Sequence, residues 1–227
     1  MTEYEKLVHI LQDNSDKKYN DFNRKIINSG VVTIGCTTPF VRKLAKNYSL
    51  EQVLEFPLHE YYEVDLLRGI VISYSKIPYE QKKDLLDDFV ATIENWAVCD
   101  CNCIKVSNKE RKLYFEYFCK LLSDERTFVC RYGVVNLLAN YLDEEYICRI
   151  FTALRSVRIW GEYYVDVAVA WLIATAVVKC RDATVKYMEN EGREVLNNFA
   201  YNRALQKMRE SFRVSDEDKQ WTRALKR

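Results

Sequence analysis

Apolar residues recur at helical spacing along most of the chain. In the first segment Leu7, Ile10 and Leu11 form one stripe, with the spacing that places side chains on one face of an α-helix. Thr2 and Glu5 precede the stripe at the spacing of a capping box. Similar patterns return repeatedly, separated by short polar breaks, so the sequence predicts an all-α protein.

Capping and helix-breaking residues indicate where the other helices begin and end. Thr38 is the expected N-cap of one helix, with Pro39 at its first position, where the missing N–H costs nothing. Ser49 and Gln52 have capping-box spacing, and that helix should stop before Pro57. The predicted helices cover residues 2–14, 17–28, 40–46, 49–56, 59–75, 78–95, 109–122, 125–141, 144–156, 162–179, 183–189, 193–212 and 216–227.

The longest irregular segment, 29–38, contains the run Val31–Ile34, which has strand-like composition. With no partner strand elsewhere, this segment is interpreted as a loop. Paired helices joined by tight turns predict a stacked α-solenoid. Because the sequence shows no domain boundary or low-complexity linker, residues 1–227 are expected to form a single domain.

Composition narrows the class further. Six glycines and three prolines are too few for an all-β protein rich in tight turns. No apolar run reaches the roughly 18 residues needed to span a bilayer, and no signal peptide is apparent. The eight cysteines lie mostly in helical patterns, which favours reduced thiols in a cytoplasmic protein. A net charge of +1 requires any charged binding surface to arise from local segregation.

Trp96 and Asp100 are four residues apart and should therefore lie one turn apart on a helix. An indole beside a carboxylate attracts developing positive charge. The same spacing also fits a packed indole beside a surface carboxylate. Both interpretations stand from these residues alone.

Cys99, Cys101 and Cys103 resemble a metal-binding cluster, but residues two apart on a helix point to opposite sides. The only histidines, His9 and His59, are distant in sequence, so buried thiols are expected and no metal is predicted. The scarcity of histidine also disfavours nucleophilic triads. Without a phosphate-binding glycine loop, no nucleotide or other cofactor is expected.

Two single residues within predicted apolar helices are candidates for a functional role. Arg131 lies in an apolar helix, where it either pairs with a buried acid or points into a groove towards an anion. Trp171 lies in a long apolar helix. Taken alone, it fits a core tryptophan.

An ordered set of motifs resembles the DNA alkylation repair family of the AlkD type. It comprises the opening Tyr19-x-x-Phe22-Asn23, Ile34–Pro39, Arg42–Lys46, Asn95–Asp100, Cys130–Gly133, Ala168–Leu172 and Asn202–Lys207. These motifs span nearly the whole chain in the family's order. The resemblance implies a solenoid of HEAT-like (ARM-type) repeats with a concave DNA-binding groove.

The resemblance also implies a function and a site. The family's glycosylases excise positively charged alkylpurines such as N3-methyladenine and N7-methylguanine from duplex DNA. By this resemblance, Asp100, Trp96 and Trp171 would be catalytic and Arg131 would contact DNA near the lesion. Phe22 stands where the family's characterised enzyme has a tyrosine, with Tyr19 close by. Alkylated or distorted double-stranded DNA is therefore the expected partner of a protein that we expect to be monomeric, with no membrane partner.

Two basic segments are candidates for phosphate contacts. One contains Arg42, Lys43 and Lys46, and the other contains Arg203 and Lys207. Such runs are also typical of solvated helix faces. Two other functions remain open: a catalytically inactive relative that binds damaged or branched DNA, or a helical-repeat scaffold for proteins.

Overall fold

A computed structural model describes residues 1–27 and 29–225. Asn28, Lys226 and Arg227 lie outside the described residues, and with them the predicted helix ends at 28 and 227. The described chain contains fifteen α-helices, two 3₁₀ helices and no β-strand. Its only β-type pairing is an isolated bridge between Val32 and Tyr61. The all-α prediction is confirmed.

The α-helices are numbered in chain order. They are α1 (Glu3–Asp13), α2 (Lys17–Ile27), α3 (Thr38–Leu44), α4 (Leu50–Leu54), α5 (Tyr62–Tyr74), α6 (Tyr79–Ala91), α7 (Trp96–Cys101), α8 (Arg111–Leu121), α9 (Thr127–Asn140), α10 (Ile147–Ala153), α11 (Tyr163–Lys179), α12 (Arg181–Glu189), α13 (Gly192–Val195), α14 (Asn198–Glu210) and α15 (Asp216–Ala224). The 3₁₀ helices Ala45–Asn47 and Leu154–Ser156 continue α3 and α10.

Both predicted capping boxes are present. The Thr2 side chain accepts a hydrogen bond from the Glu5 N–H, and the Glu5 side chain accepts one from the Thr2 N–H. Ser49 and Gln52 make the same reciprocal pair at α4. The predicted cap of α3 was wrong by one residue, since Thr37 occupies the N-cap position and makes no side-chain capping bond. Pro39 therefore stands at the second helical position.

Asparagine caps begin two helices near boundaries that were predicted wrongly. The helix predicted over 78–95 ends at Ala91, and the Asn95 side chain accepts from the Val98 N–H to begin α7. The helix predicted over 193–212 divides into α13 and α14, where Asn197 accepts from the Ala200 N–H. In both cases a local side-chain bond satisfies an N–H that a continuous helix would have used.

The helix predicted to begin at His59 begins instead at Tyr62. His59 has a φ of 60°, a left-handed conformation that a continuing helix cannot contain. Asp65 accepts hydrogen bonds from the His59 N–H at 3.1 Å and lies 3.3 Å from His59 Nδ1. This contact holds the segment that precedes α5.

The chain divides into two compact units, Met1–Lys105 and Val106–Arg227. The expectation that residues 1–227 form one repeat domain stays a prediction. In the first unit α5 contacts α3, α4, α6 and α7. In the second, α11 contacts α9, α12 and α14. Each unit therefore has one central helix.

A buried carboxylate holds the long loop of the first unit. Glu63 on α5 is fully buried and accepts hydrogen bonds from the N–H groups of Ile34, Gly35 and Cys36 at 2.9, 2.7 and 3.1 Å. Gly35 has a φ of 108° and lies so close to Asn20 that a Cβ would clash. The loop therefore has one defined conformation in front of α3.

The second unit is built around an apolar helix. Eleven of the seventeen residues of α11 are buried, between α9 on one side and α14 on the other. At the C-terminal end Asp218 of α15 accepts a hydrogen bond from Arg181 Nε at 2.8 Å, which fastens α15 to α12. Within the described residues, no helix is both long enough and apolar enough to cross a membrane.

Candidate functional site

Helix α7 carries two of the predicted site residues. Trp96 and Asp100 are four residues apart and one turn apart on this helix, and both are partly exposed. The three residues between them are buried. The helix therefore packs through one side and presents the indole and the carboxylate on the other.

The C-terminal end of α7 is anchored on α5. The Asn102 carbonyl accepts from Ser73 Oγ at 2.7 Å, and the Asn102 side chain donates to the Val98 carbonyl at 2.8 Å. Gly69 lies opposite, where a Cβ would overlap the Asn102 amide. A glycine at this place lets α7 approach α5 closely.

Two further contacts fix the ends of α7. The Trp96 indole N–H donates to the Ile26 carbonyl at 3.1 Å, which orients the ring against the end of α2. The Arg42 guanidinium donates to the Cys101 carbonyl at 2.5 Å and to Tyr74 Oη at 3.0 Å. A cation at the last carbonyls of a helix also complements its dipole. Arg42 thus supports the helix that carries Asp100.

The other predicted DNA-contacting residues of the first unit differ in exposure. Phe22 is 61% exposed, and Lys43 and Lys46 are exposed. Tyr19 is partly buried, and burial raises the pKa of its hydroxyl, which a hydrogen bond with Thr38 partly offsets. A cavity of about 750 Å³ lies beside Arg42 and Lys46, between α3 and the end of α5. Contact of these residues with DNA stays a prediction.

The cysteine cluster is made of free thiols. Cys99 is buried, whereas Cys101 and Cys103 are partly exposed. Burial raises the pKa of the Cys101 thiol, which favours its neutral form. Within the described chain, no three histidine, cysteine or acidic residues are grouped as metal ligands.

Trp171, on α11, is not a core residue. Its side chain is 39% exposed, while its neighbours Ala170 and Leu172 are fully buried. The interpretation as a core tryptophan was therefore wrong. An indole that is partly exposed on a largely buried apolar helix can be reached by a ligand.

Three predicted cationic residues lie together in the second unit. Arg131 on α9 is 5% exposed and donates to the Tyr164 carbonyl of α11 at 2.5 Å. Arg203 and Lys207 lie on α14, four residues apart. Burial lowers the pKa of Lys207, and the charges of Arg203 and Arg131 lower it further. The fold thus concentrates positive charge that the net charge of +1 conceals.

Sequence reasoning missed a row of aromatic rings in the second unit. Phe128, Tyr164, Tyr163 and Phe199 follow one another in ring contact. They belong to the first turns of α9, α11 and α14. The sequence does contain a pattern that could have indicated this row, because each of the three helices has an aromatic residue at its first or second position.

The fold and the site define a helical-repeat protein with a tryptophan–carboxylate pair and local cationic clusters. The family model for the DNA alkylation repair enzyme matches residues 7–208, most of the chain, so the chain belongs to this family, whose fold is HEAT-like. No match was found among curated proteins. Membership indicates a DNA repair enzyme whose partner is DNA.

Proposed function

We propose that this protein is a DNA glycosylase that excises positively charged alkylpurines, such as N3-methyladenine and N7-methylguanine, from duplex DNA. The observation that carries the proposal is the pair on α7. Trp96 and Asp100 are partly exposed one turn apart, on a helix whose ends are fixed by Ile26 and Arg42. An indole and a carboxylate held in this way suit a cationic transition state.

The chemistry requires little beyond such a pair. An alkylated purine already carries positive charge, so it leaves without a general acid. As the N-glycosidic bond breaks, positive charge develops on the deoxyribose, as in glycoside hydrolysis. Asp100 stabilises this oxocarbenium-like state and orients the attacking water. The base leaves as a neutral molecule with the electron pair of the broken bond, and the water adds its oxygen to the sugar carbon and releases one proton to the solvent.

The indole rings act on the same charge. Trp96 presents its ring face to the sugar, where a cation–π interaction favours the transition state. Trp171, exposed on α11, serves as the second ring, and Arg131 contacts the DNA near the lesion. The proposal therefore requires that Trp96, Asp100, Arg131 and Trp171 all act on the same DNA lesion.

DNA binding rests on segregated charge. Lys43 and Lys46 in the first unit and Arg203 and Lys207 in the second are proposed to bind phosphates, because phosphate contacts dominate affinity for duplex DNA. Binding should then weaken steeply with salt. Neutralising each contact residue should lower the slope of log K against log salt by about one unit.

The test is single-turnover release of N7-methylguanine from methylated duplex DNA, beside a binding titration with undamaged duplex. We expect Asp100→Asn to slow release by about a hundredfold to a thousandfold, because one well-placed electrostatic contact in the transition state is lost. Duplex affinity should stay the same or rise slightly. Asp84→Asn, at a carboxylate 79% exposed on α6, is the matched control and should leave release unchanged.

Each other outcome has a definite meaning. A wild-type protein that binds duplex DNA but releases no base supports the catalytically inactive alternative. Absence of duplex binding at low salt supports the protein scaffold. An active wild type matched by Asp100→Asn leaves the reaction correct and the assignment of Asp100 wrong.

A further inference from the structure

The aromatic row of the second unit crosses three neighbouring helices. The Phe128 and Tyr164 centroids are 5.3 Å apart, those of Tyr164 and Tyr163 5.4 Å, and those of Tyr163 and Phe199 6.0 Å. Tyr163 is 56% exposed and Phe199 46% exposed. Two large rings that contact each other are thus each about half exposed to solvent.

The end of the row on α14 is rich in positive charge. Phe199 and Arg203 are four residues apart, so they are neighbours on one helix face. A cavity of about 650 Å³ beside the ring is lined by Asn198, Phe199, Asn202, Arg203, Gln206 and Arg209. Burial lowers the pKa of Lys207 on the same helix, and the charges of Arg203 and Arg131 lower it further, while Glu210 opposes them.

We propose that this aromatic row binds unpaired bases of a DNA strand, with Tyr163 and Phe199 stacking on the bases and Arg203 binding an adjacent phosphate. This stacking proposal rests on the DNA binding of the proposed function, but it does not depend on the excision of a base. Exposed rings beside a cationic groove form the usual surface for single-stranded nucleic acid, because every base has a face on which an aromatic ring stacks.

Charge decides between this ligand and an apolar segment of a partner protein. An apolar segment would bury Arg203 and Arg209 along with Phe199, and burying unpaired cations costs free energy. A nucleotide offers both a ring and a phosphate to the same groove. Glu162 is exposed and accepts a hydrogen bond from Thr127 Oγ1 at 3.4 Å, next to Phe128 at the other end of the row, so its negative charge disfavours phosphates at that end.

The experiment compares two labelled oligomers of equal length by fluorescence anisotropy. One is an oligothymidylate, and the other has a tetrahydrofuran in place of every nucleoside sugar and base, which keeps the phosphates and removes the bases. We expect wild type to prefer oligothymidylate. Tyr163→Ala and Phe199→Ala should each weaken its binding by about tenfold, within the range typical of one stacked base, and should leave the abasic oligomer unaffected.

Three further variants separate stacking from other effects. Tyr163→Phe keeps the ring and should bind as wild type does, whereas Tyr163→Leu keeps apolar bulk without a ring and should bind like Tyr163→Ala. Arg203→Gln should weaken both oligomers and lower the salt slope by about one unit. Phe212→Ala, at a fully exposed phenylalanine outside the row, is the control and should change neither.

The proposal is overturned if wild type binds the two oligomers equally, binds neither, or tolerates Tyr163→Leu without loss. Release of N7-methylguanine from duplex DNA is measured on the same preparations. Ring-dependent oligothymidylate binding without base release refutes the glycosylase alone. Base release with no ring-dependent binding refutes the stacking surface alone.

Discussion

Helices α7 and α11 each present a tryptophan proposed for the site, and they are held in place by different forces. Helix α7 has six residues. Its position depends on the hydrogen bond that Asn95 accepts from the Val98 N–H, on those that Arg42 and Ser73 donate, and on that of Trp96 to the Ile26 carbonyl. Helix α11 has seventeen residues, eleven of them buried. Polar contacts thus position one tryptophan, and apolar packing positions the other.

Mutations should affect the two helices differently. A six-residue helix is too short to be stable without its surroundings, so loss of one polar contact can move Asp100 without unfolding the unit. A long buried helix moves only when its packing fails. Activity should therefore be sensitive to the contacts of α7, and stability to the interior of α11.

The largest stability effect should come from the interior of α11. Leu172 is fully buried, and Leu172→Ala should lower the free energy of unfolding by about 2–5 kcal/mol, since apolar contacts are lost and a cavity forms. Urea denaturation measures this. Val178→Ala on the same helix, at a side chain 37% exposed, is the control and should change the value by less than about 0.5 kcal/mol. Equal effects would show that α11 is not held by packing.

Arg42→Met should produce the largest activity effect among the supports of α7. The methionine keeps apolar bulk but loses the bonds to Cys101 and Tyr74, which should cost about 1.5–3 kcal/mol of stability. Because Asp100 shifts, single-turnover release should slow by about tenfold to a hundredfold at saturating protein. Lys43→Met, at an exposed cation on the same helix, should weaken duplex binding and leave the saturated rate unchanged. An equal loss of saturated rate in Lys43→Met would show that the effect of Arg42→Met does not come from the contacts of α7.

The two asparagine caps offer a comparison between the units. Asn95→Ala and Asn197→Ala each remove a bond to a helical N–H, and Asn197→Ala also removes the bond that Asn197 donates to the buried Asp166. In urea denaturation Asn95→Ala should cost about 1 kcal/mol, and Asn197→Ala should cost more. Only Asn95→Ala should also slow release of N7-methylguanine, because α7 carries Asp100. If Asn197→Ala slows release equally, the rate reports general stability rather than the placement of α7.

The smallest expected effect is a change in how the unfolding free energy depends on acid pH, and it involves Asp218 of the second unit. A hydrogen bond from Arg181 holds the pKa of Asp218 below its ordinary value. A carboxyl with a lowered pKa contributes stability above its unfolded pKa of about 4, and that contribution is lost as pH falls through the folded pKa. Unfolding free energy measured from neutral to acid pH should fall less steeply in Asp218→Asn than in wild type. Asp216→Asn, at a carboxylate 97% exposed, should keep the wild-type slope.

Local sequence patterns were sufficient to predict much of the fold. Apolar spacing and the capping pairs Thr2–Glu5 and Ser49–Gln52 predicted the helical class and several helix starts, because capping depends on residues three positions apart. The same reasoning extended the helix predicted over 78–95 past its observed end at Ala91. Ile93 continues the apolar spacing of Phe89 and Val90 there, and an asparagine that ends one helix cannot be told from one that caps the next.

The sequence by itself determined the all-α class and, through an ordered set of motifs, the family. It also placed Trp96 and Asp100 one turn apart, because helical geometry follows from spacing alone. Only the tertiary structure decided that Trp171 is exposed, since an apolar helix carries no sign of which residue its neighbours leave uncovered. Arg131 and Lys207 likewise become neighbours only when α9, α11 and α14 pack together, because charges distant in sequence interact through space.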